Sequence, residues 1–127
     1  MTNQRVLDHA LRLMGEDPAA GDIGDYLDRA PALLCDACRA LAAADRLCRA
    51  AAGMEEQVLP GGDTYGLEED FPLCDAMLPA AALHVASGLV FDENPALSER
   101  FYGRFGEAVT ACIGAIPATV EPIANKY

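Results

Sequence analysis

From Phe71 to Asp92 the chain carries apolar residues on every face of a helix. Phe71, Cys74, Leu78, Ala81, Val85 and Leu89 recur at alternating spacings of three and four, and Met77, Ala80 and Leu83 fill the other faces. A segment that is apolar all round must be enclosed, as the central helix of a domain or as half of a subunit interface. The uncharged run inside it, Ala76 to Phe91, is shorter than the ~20 residues of a membrane span, and Pro79 and His84 interrupt it. Pro79 predicts a kink or a true helix start close by, with Asp75 as N-cap.

Three further helices are predicted around this one. The first covers Asn3 to Met14, with Asn3 as N-cap, Leu7, Ala10, Leu11 and Met14 on one face, and Gly15 as the left-handed C-cap. A second begins near Asp25, is kinked or restarted at Pro31, and continues from Ala32 to Ala52. Leu34, Cys38, Leu41 and Cys48 form its inner stripe, widened by Ala37, Ala44 and Leu47, with Arg39, Asp45, Arg46 and Arg49 on the wet side. The last follows Asn94 and Pro95, a strong start signal. Its inner stripe is Leu97, Phe101, Phe105, Ala108, Cys112 and Ile116, and Ser98, Arg100, Arg104 and Glu107 face out.

Prolines and glycines punctuate the rest. Residues 54–70 contain Pro60, Gly61, Gly62 and Gly66, an unusually long connection for a compact domain. Pro117 ends the last helix, and Pro122 forbids another in residues 117–127. The expected fold is therefore all-α: a single domain over residues 1–127, a compact bundle of four main helices. A long irregular loop separates helices two and three, and an extended C-terminal tail closes the chain.

Charge excludes some functions. The net charge is −11, with one lysine, Lys126, and scattered arginines. Phosphate backbones and anionic membranes call for clustered Lys and Arg, so neither is an expected partner. Acidic residues concentrate between Met54 and Met77, where there is no basic residue, which makes a solvated loop or a partner-facing patch. "MTNQRVLDHALRLMGED" lacks the apolar core of a signal peptide, which predicts a soluble, intracellular protein.

The cysteines invite a chemical reading. Cys35 and Cys38 have the spacing of half a zinc site or of a redox pair. No second close pair follows, and the pair sits inside a helix rather than at its N-terminus, where a thiolate is stabilised. Cys38, Cys48, Cys74 and Cys112 fall on apolar stripes, where free cysteine packs as a small hydrophobe. His84 has Ala80 and Gly88 four residues either side, no carboxylate, and reads as a core or interface histidine; His9 reads as surface. The paired carboxylates lie in polar, glycine-rich surroundings, and general acid-base catalysis needs one of a pair desolvated. No catalytic, cofactor or metal residue is assigned, and no enzymatic activity or cofactor is expected.

The order of features resembles the head–tail connector (adaptor, or head-completion) proteins of tailed bacteriophages and prophages. It is carried by "ALRLMG" at Ala10–Gly15, "DYLDRAPAL" at Asp25–Leu33, "LPAAALHVASGL" from Leu78, the "ENP" start with "FY" at Phe101–Tyr102, and the closing Ile123–Tyr127. The five cysteines and the alanine-rich "PAAALH" stretch depart from that pattern.

The resemblance implies a structural virion protein at the head–tail junction, made in the bacterial cytoplasm. It would form a homo-oligomeric ring that joins the portal protein to tail-joining proteins, with DNA only passing through. Val58, Leu59 and Tyr65 of the loop and Val120, Ile123 and Tyr127 of the tail are the candidate subunit or partner contacts. Two alternatives stand beside it: a free-standing helical protein-interaction module, and a cysteine-based metal or redox regulator.

Overall fold

The computed structural model describes residues 1–19 and 22–116, and these form an all-α bundle. The helices are α1 (Asn3–Leu13), α2 (Gly24–Ala51), α3 (Leu78–Val90) and α4 (Pro95–Gly114), with a 3-10 turn at Asp75–Met77. Among the described residues there is no strand, only an isolated antiparallel bridge between Thr2 and Asp70. The predicted tail, 117–127, lies outside the described residues.

The all-round apolar segment is the central helix. Packed against α1, α2 and α4, α3 buries Ala80, Ala81, Ala82, Leu83, Val85, Ala86, Ser87, Leu89 and Val90. Its faces are thus consumed within the chain, which removes the alternative that this helix is half of a subunit interface. Small side chains let the neighbours approach closely. A Cβ built on Gly88 would stand 2.5 Å from Leu33 Cδ2, so the α2–α3 crossing needs a glycine there or a shift of Leu33.

Long-range pairs fix the directions. Arg29 donates to Leu89 O at 2.9 Å and Asp45 accepts from Cys74 N at 2.8 Å, so α2 and α3 run antiparallel. Ser87 meets Ser98 and Ala76 meets Cys112, so α3 and α4 run antiparallel as well. Arg29 also places positive charge on the last carbonyls of α3, where the helix dipole favours it.

Several local expectations change. Helix three starts at Leu78 rather than Phe71, because the backbone before it is spent elsewhere: Phe71 N donates to Met1 O and Cys74 N to Asp45. Asp75 makes no cap bond; it lies in the 3-10 turn, and Pro79 sits in the first turn of α3. Pro31 does not restart helix two, since α2 runs unbroken through it. Tyr26 and Ala30 before the proline and Leu34 and Cys35 after it are all buried, and their burial offsets the roughly 3 kcal/mol that an interior proline costs. Thr2, not Asn3, holds the N-cap position of α1, and the buried Asn3 amide donates to Gly66 O at 2.9 Å.

Other signals read as expected. Gly15 and Gly53 take positive φ (81° and 70°) just past α1 and α2, and Leu97 N donates to Asn94 Oδ1 at 3.1 Å.

Two polar residues predicted to face water are buried. Ser98 reaches across to Ser87: each hydroxyl donates to the other's carbonyl, at 2.8 and 2.9 Å, with the hydroxyls 3.1 Å apart. Asp45 is only 2% exposed. Leu47, predicted to widen the inner stripe of α2, is instead 51% exposed. We expect Ser87→Ala and Ser98→Ala each to cost about 1 kcal/mol in urea unfolding, with a measurable coupling in the double mutant.

Candidate functional site

Residues 54–74 are wrapped along α2 rather than left as a free loop. Arginines of α2 hold them. Arg39 donates to Gly62 O, Arg49 donates to Glu55 O (3.4 Å) and Pro72 O (3.3 Å), and Arg46 lies 3.8 Å from Glu56. Most of these bonds run to backbone carbonyls; of the segment's acidic side chains, Glu56 is the one that meets an arginine among the described residues.

Asp45 is the hub of this attachment. Its carboxylate accepts from Arg49 Nε at 2.8 Å and from Cys74 N at 2.8 Å. The Arg49–Asp45 pair is an i,i+4 ion pair with only 13% and 3% of the two side chains exposed. Such a charge is tolerable in the interior because both its partners are donors.

The six candidate contact residues fall into three groups. Tyr65 is 3% exposed, its hydroxyl donates to Pro60 O at 2.9 Å and its amide to Pro31 O at 3.0 Å, so it anchors the loop to the chain's own core. It is therefore not presented to a partner. Leu59 is half-buried against the same core, whereas Val58 is 85% exposed. Val120, Ile123 and Tyr127 lie outside the described residues.

Four of the exposed large apolar side chains gather in two places. Phe91 (62% exposed) and Tyr102 (58%) line one shallow hollow with Ser87, Ser98 and Glu99, where α3 ends beside the first half of α4. Leu47 and Met54 line another with Arg46 and Ala50, at the C-terminal end of α2. The second lies toward the far end of α4, since Cys48 of α2 shares a groove with Cys112 and Ile116. That groove, about 380 Å³, is otherwise lined by alanines. The signal for Phe91 was its place one residue beyond the last buried turn of α3.

The cysteines are all free. Burial, with Cys35 and Asp45 adding to it, pushes the Cys38 thiol up to about 12. Cys48 is raised by burial and then by Cys112, and Cys74 by burial and then by its hydrogen bond with Asp45. Each shift favours the thiol over the thiolate, the form that attacks and binds metal. Among the described residues no group of three or more His, Cys, Asp or Glu side chains is arranged to hold a metal ion, and no helix is long and apolar enough to cross a membrane.

His84 packs edge-on to Phe105, with ring centroids 4.9 Å apart, and 6.1 Å from Tyr102. Its Nδ1 is buried without a partner. Burial lowers its pKa, and the charge of Asp36 opposes the shift only in part. A histidine held neutral destabilises the fold once it must take a proton. Stability should therefore be unaffected above about pH 7.5 and fall as the pH drops below the ordinary 6.5 toward the lowered folded value. Urea titrations of wild type and His84→Gln between pH 5 and 8 check this: the difference between the two should grow on the acid side only.

Comparisons with family models, with curated proteins and with solved structures find no match to this chain.

Proposed function

We propose that this chain is a ring-forming head–tail connector subunit of a tailed bacteriophage or prophage, joining the portal to the tail and lining the DNA channel. One observation of the fold supports it: the core is complete without the exposed apolar residues, and four of these pair into two unlike patches, while Leu27, Val58 and Ile113 are exposed outside them. Phe91 with Tyr102 stands beside the first half of α4, and Leu47 with Met54 at the C-terminal end of α2. A closed head-to-tail ring needs two different faces on each subunit, whereas a two-fold dimer needs one that is self-complementary. The net charge of −11 suits a channel wall past which DNA slides without being held. Whole-virion location follows from the same reading.

Native mass spectrometry over a concentration series tests it, alone and with portal particles of the virus that encodes the chain. The reading expects a closed oligomer of a single copy number in at least one of the two conditions. A strict monomer that also ignores the portal overturns it. The groove between the ends of α2 and α4 favours a second reading, a free-standing helical module that seats an apolar segment of a small partner. That reading expects a monomer under every condition and a one-to-one complex.

A further inference from the structure

The last turns of α4 run past the start of α3. Cys112 Sγ lies 3.6 Å from Ala76 O, in the 3-10 turn that precedes Leu78. There the end of α2, the 3-10 turn and the end of α4 leave the apolar groove of about 380 Å³ described above. No charged side chain lines it: the walls are Cys48, Cys112, alanines of all three elements, and Ile116. Ile116 is also the last described residue, so residue 117 begins at the rim of the groove. The sequence continues as "PATVEPIANKY", which lies outside the described residues. Pro117 cannot extend α4, and Val120 and Ile123 are aliphatic.

We propose that this groove seats the chain's own C-terminal segment, with Val120 and Ile123 as its apolar anchors. An extended chain reaches about 13 Å from residue 116 to residue 120 and about 23 Å to residue 123, enough to fold back over a groove that starts at Ile116. In the three-residue extended helix that Pro117 and Pro122 favour, positions 120 and 123 fall on one side and Glu121 on another. The small alanine side chains of the walls let such a backbone come close. Tethering decides between occupants. A segment joined to the rim by so short a linker meets the groove at an effective concentration on the order of millimolar, which a free partner or a second copy's tail must match. The inference does not rest on ring formation. It bears on the second reading above, because a partner's apolar segment must first displace the chain's own.

Alkylation of the full chain with N-ethylmaleimide, followed cysteine by cysteine by mass spectrometry, tests it. Val120→Asp with Ile123→Asp removes the anchors and leaves the helical core untouched. Cys48 and Cys112 should react about 10-fold faster in this variant than in the wild type, as burial of two aliphatic side chains is lost. Cys74, which does not line the groove, should keep its rate, and the fully buried Cys35 and Cys38 should stay unmodified, which checks the fold. Val120→Leu with Ile123→Leu should retain the slow rates. In the wild type, methyl NOEs should join Ile123 to alanines of the groove, and the protection should be the same at every protein concentration. Equal rates in the wild type and the aspartate variant, absence of those NOEs, or protection that grows with protein concentration, the mark of a second copy's tail, would overturn the proposal.

Discussion

Replacing Asp45 by alanine is expected to lower the unfolding free energy by about 3–5 kcal/mol, the usual cost of removing one partner of a buried ion pair. The carboxylate joins two segments at once, through Arg49 Nε and Cys74 N, both at 2.8 Å. Alanine leaves a mostly buried guanidinium without its counter-charge and a backbone amide without an acceptor. Asp45→Asn retains the shape and an acceptor for Cys74 N but loses the charge, and should cost about 1.5–3 kcal/mol. Urea unfolding gives both values. Hydrogen exchange locates the effect: amides of residues 71–77 should lose protection first, because Asp45 is what fastens them to α2. A loss below about 1 kcal/mol in the alanine variant would mean that the pair is not closed in solution.

The second large effect contrasts two leucines on one helix. Leu41 is fully buried in α2, and Leu47 is 51% exposed. Leu41→Ala should cost about 2–5 kcal/mol, the sum of lost transfer energy and the cavity left behind. Leu47→Ala should stay within about 0.5 kcal/mol, as surface changes do. Thermal and urea unfolding of both variants test the orientation of the helix. Similar losses at the two sites would place the buried face of α2 wrongly. On the connector reading, Leu47→Ala has a different signature, weaker association with unchanged stability.

Much of the fold was legible in the sequence because helical periodicity survives any tertiary context. The all-round apolar pattern around Leu83 marked a central helix, and Asn94–Pro95 marked the start of α4 to the residue. At two positions the helical period outweighs the polarity of the side chain. The stripe Leu34, Cys38, Leu41, Cys48 passes through position 45, and the stripe Phe101, Phe105 extends back through 98. Asp45 and Ser98 therefore lay on buried stripes all along. Their partners, Cys74 N and Ser87, are 29 and 11 residues away, beyond the reach of any local rule.

The loop was the least legible part, for a related reason. Its conformation is held by arginines of α2 and by bonds from Asn3 and Gln4 to Gly66 and Leu67, and no local rule predicts contacts over 63 residues. Tyr65 looked like a surface aromatic in a glycine-rich stretch, yet it is the residue that pins that stretch to the core. Conversely, Tyr102 came to notice only as part of a motif. Its side chain is 58% exposed beside Phe91, at a hollow that Ser87 and Ser98 also line.

Assembly is the central claim, and imaging of the purified chain mixed with portal particles tests it most directly. Electron microscopy with class averaging should show an added ring of a single copy number beneath the portal. The ring should be lost when Phe91 and Tyr102 are both changed to serine, while helicity and stability are kept. Portal particles that remain bare at saturating concentrations of a well-folded chain would contradict the account.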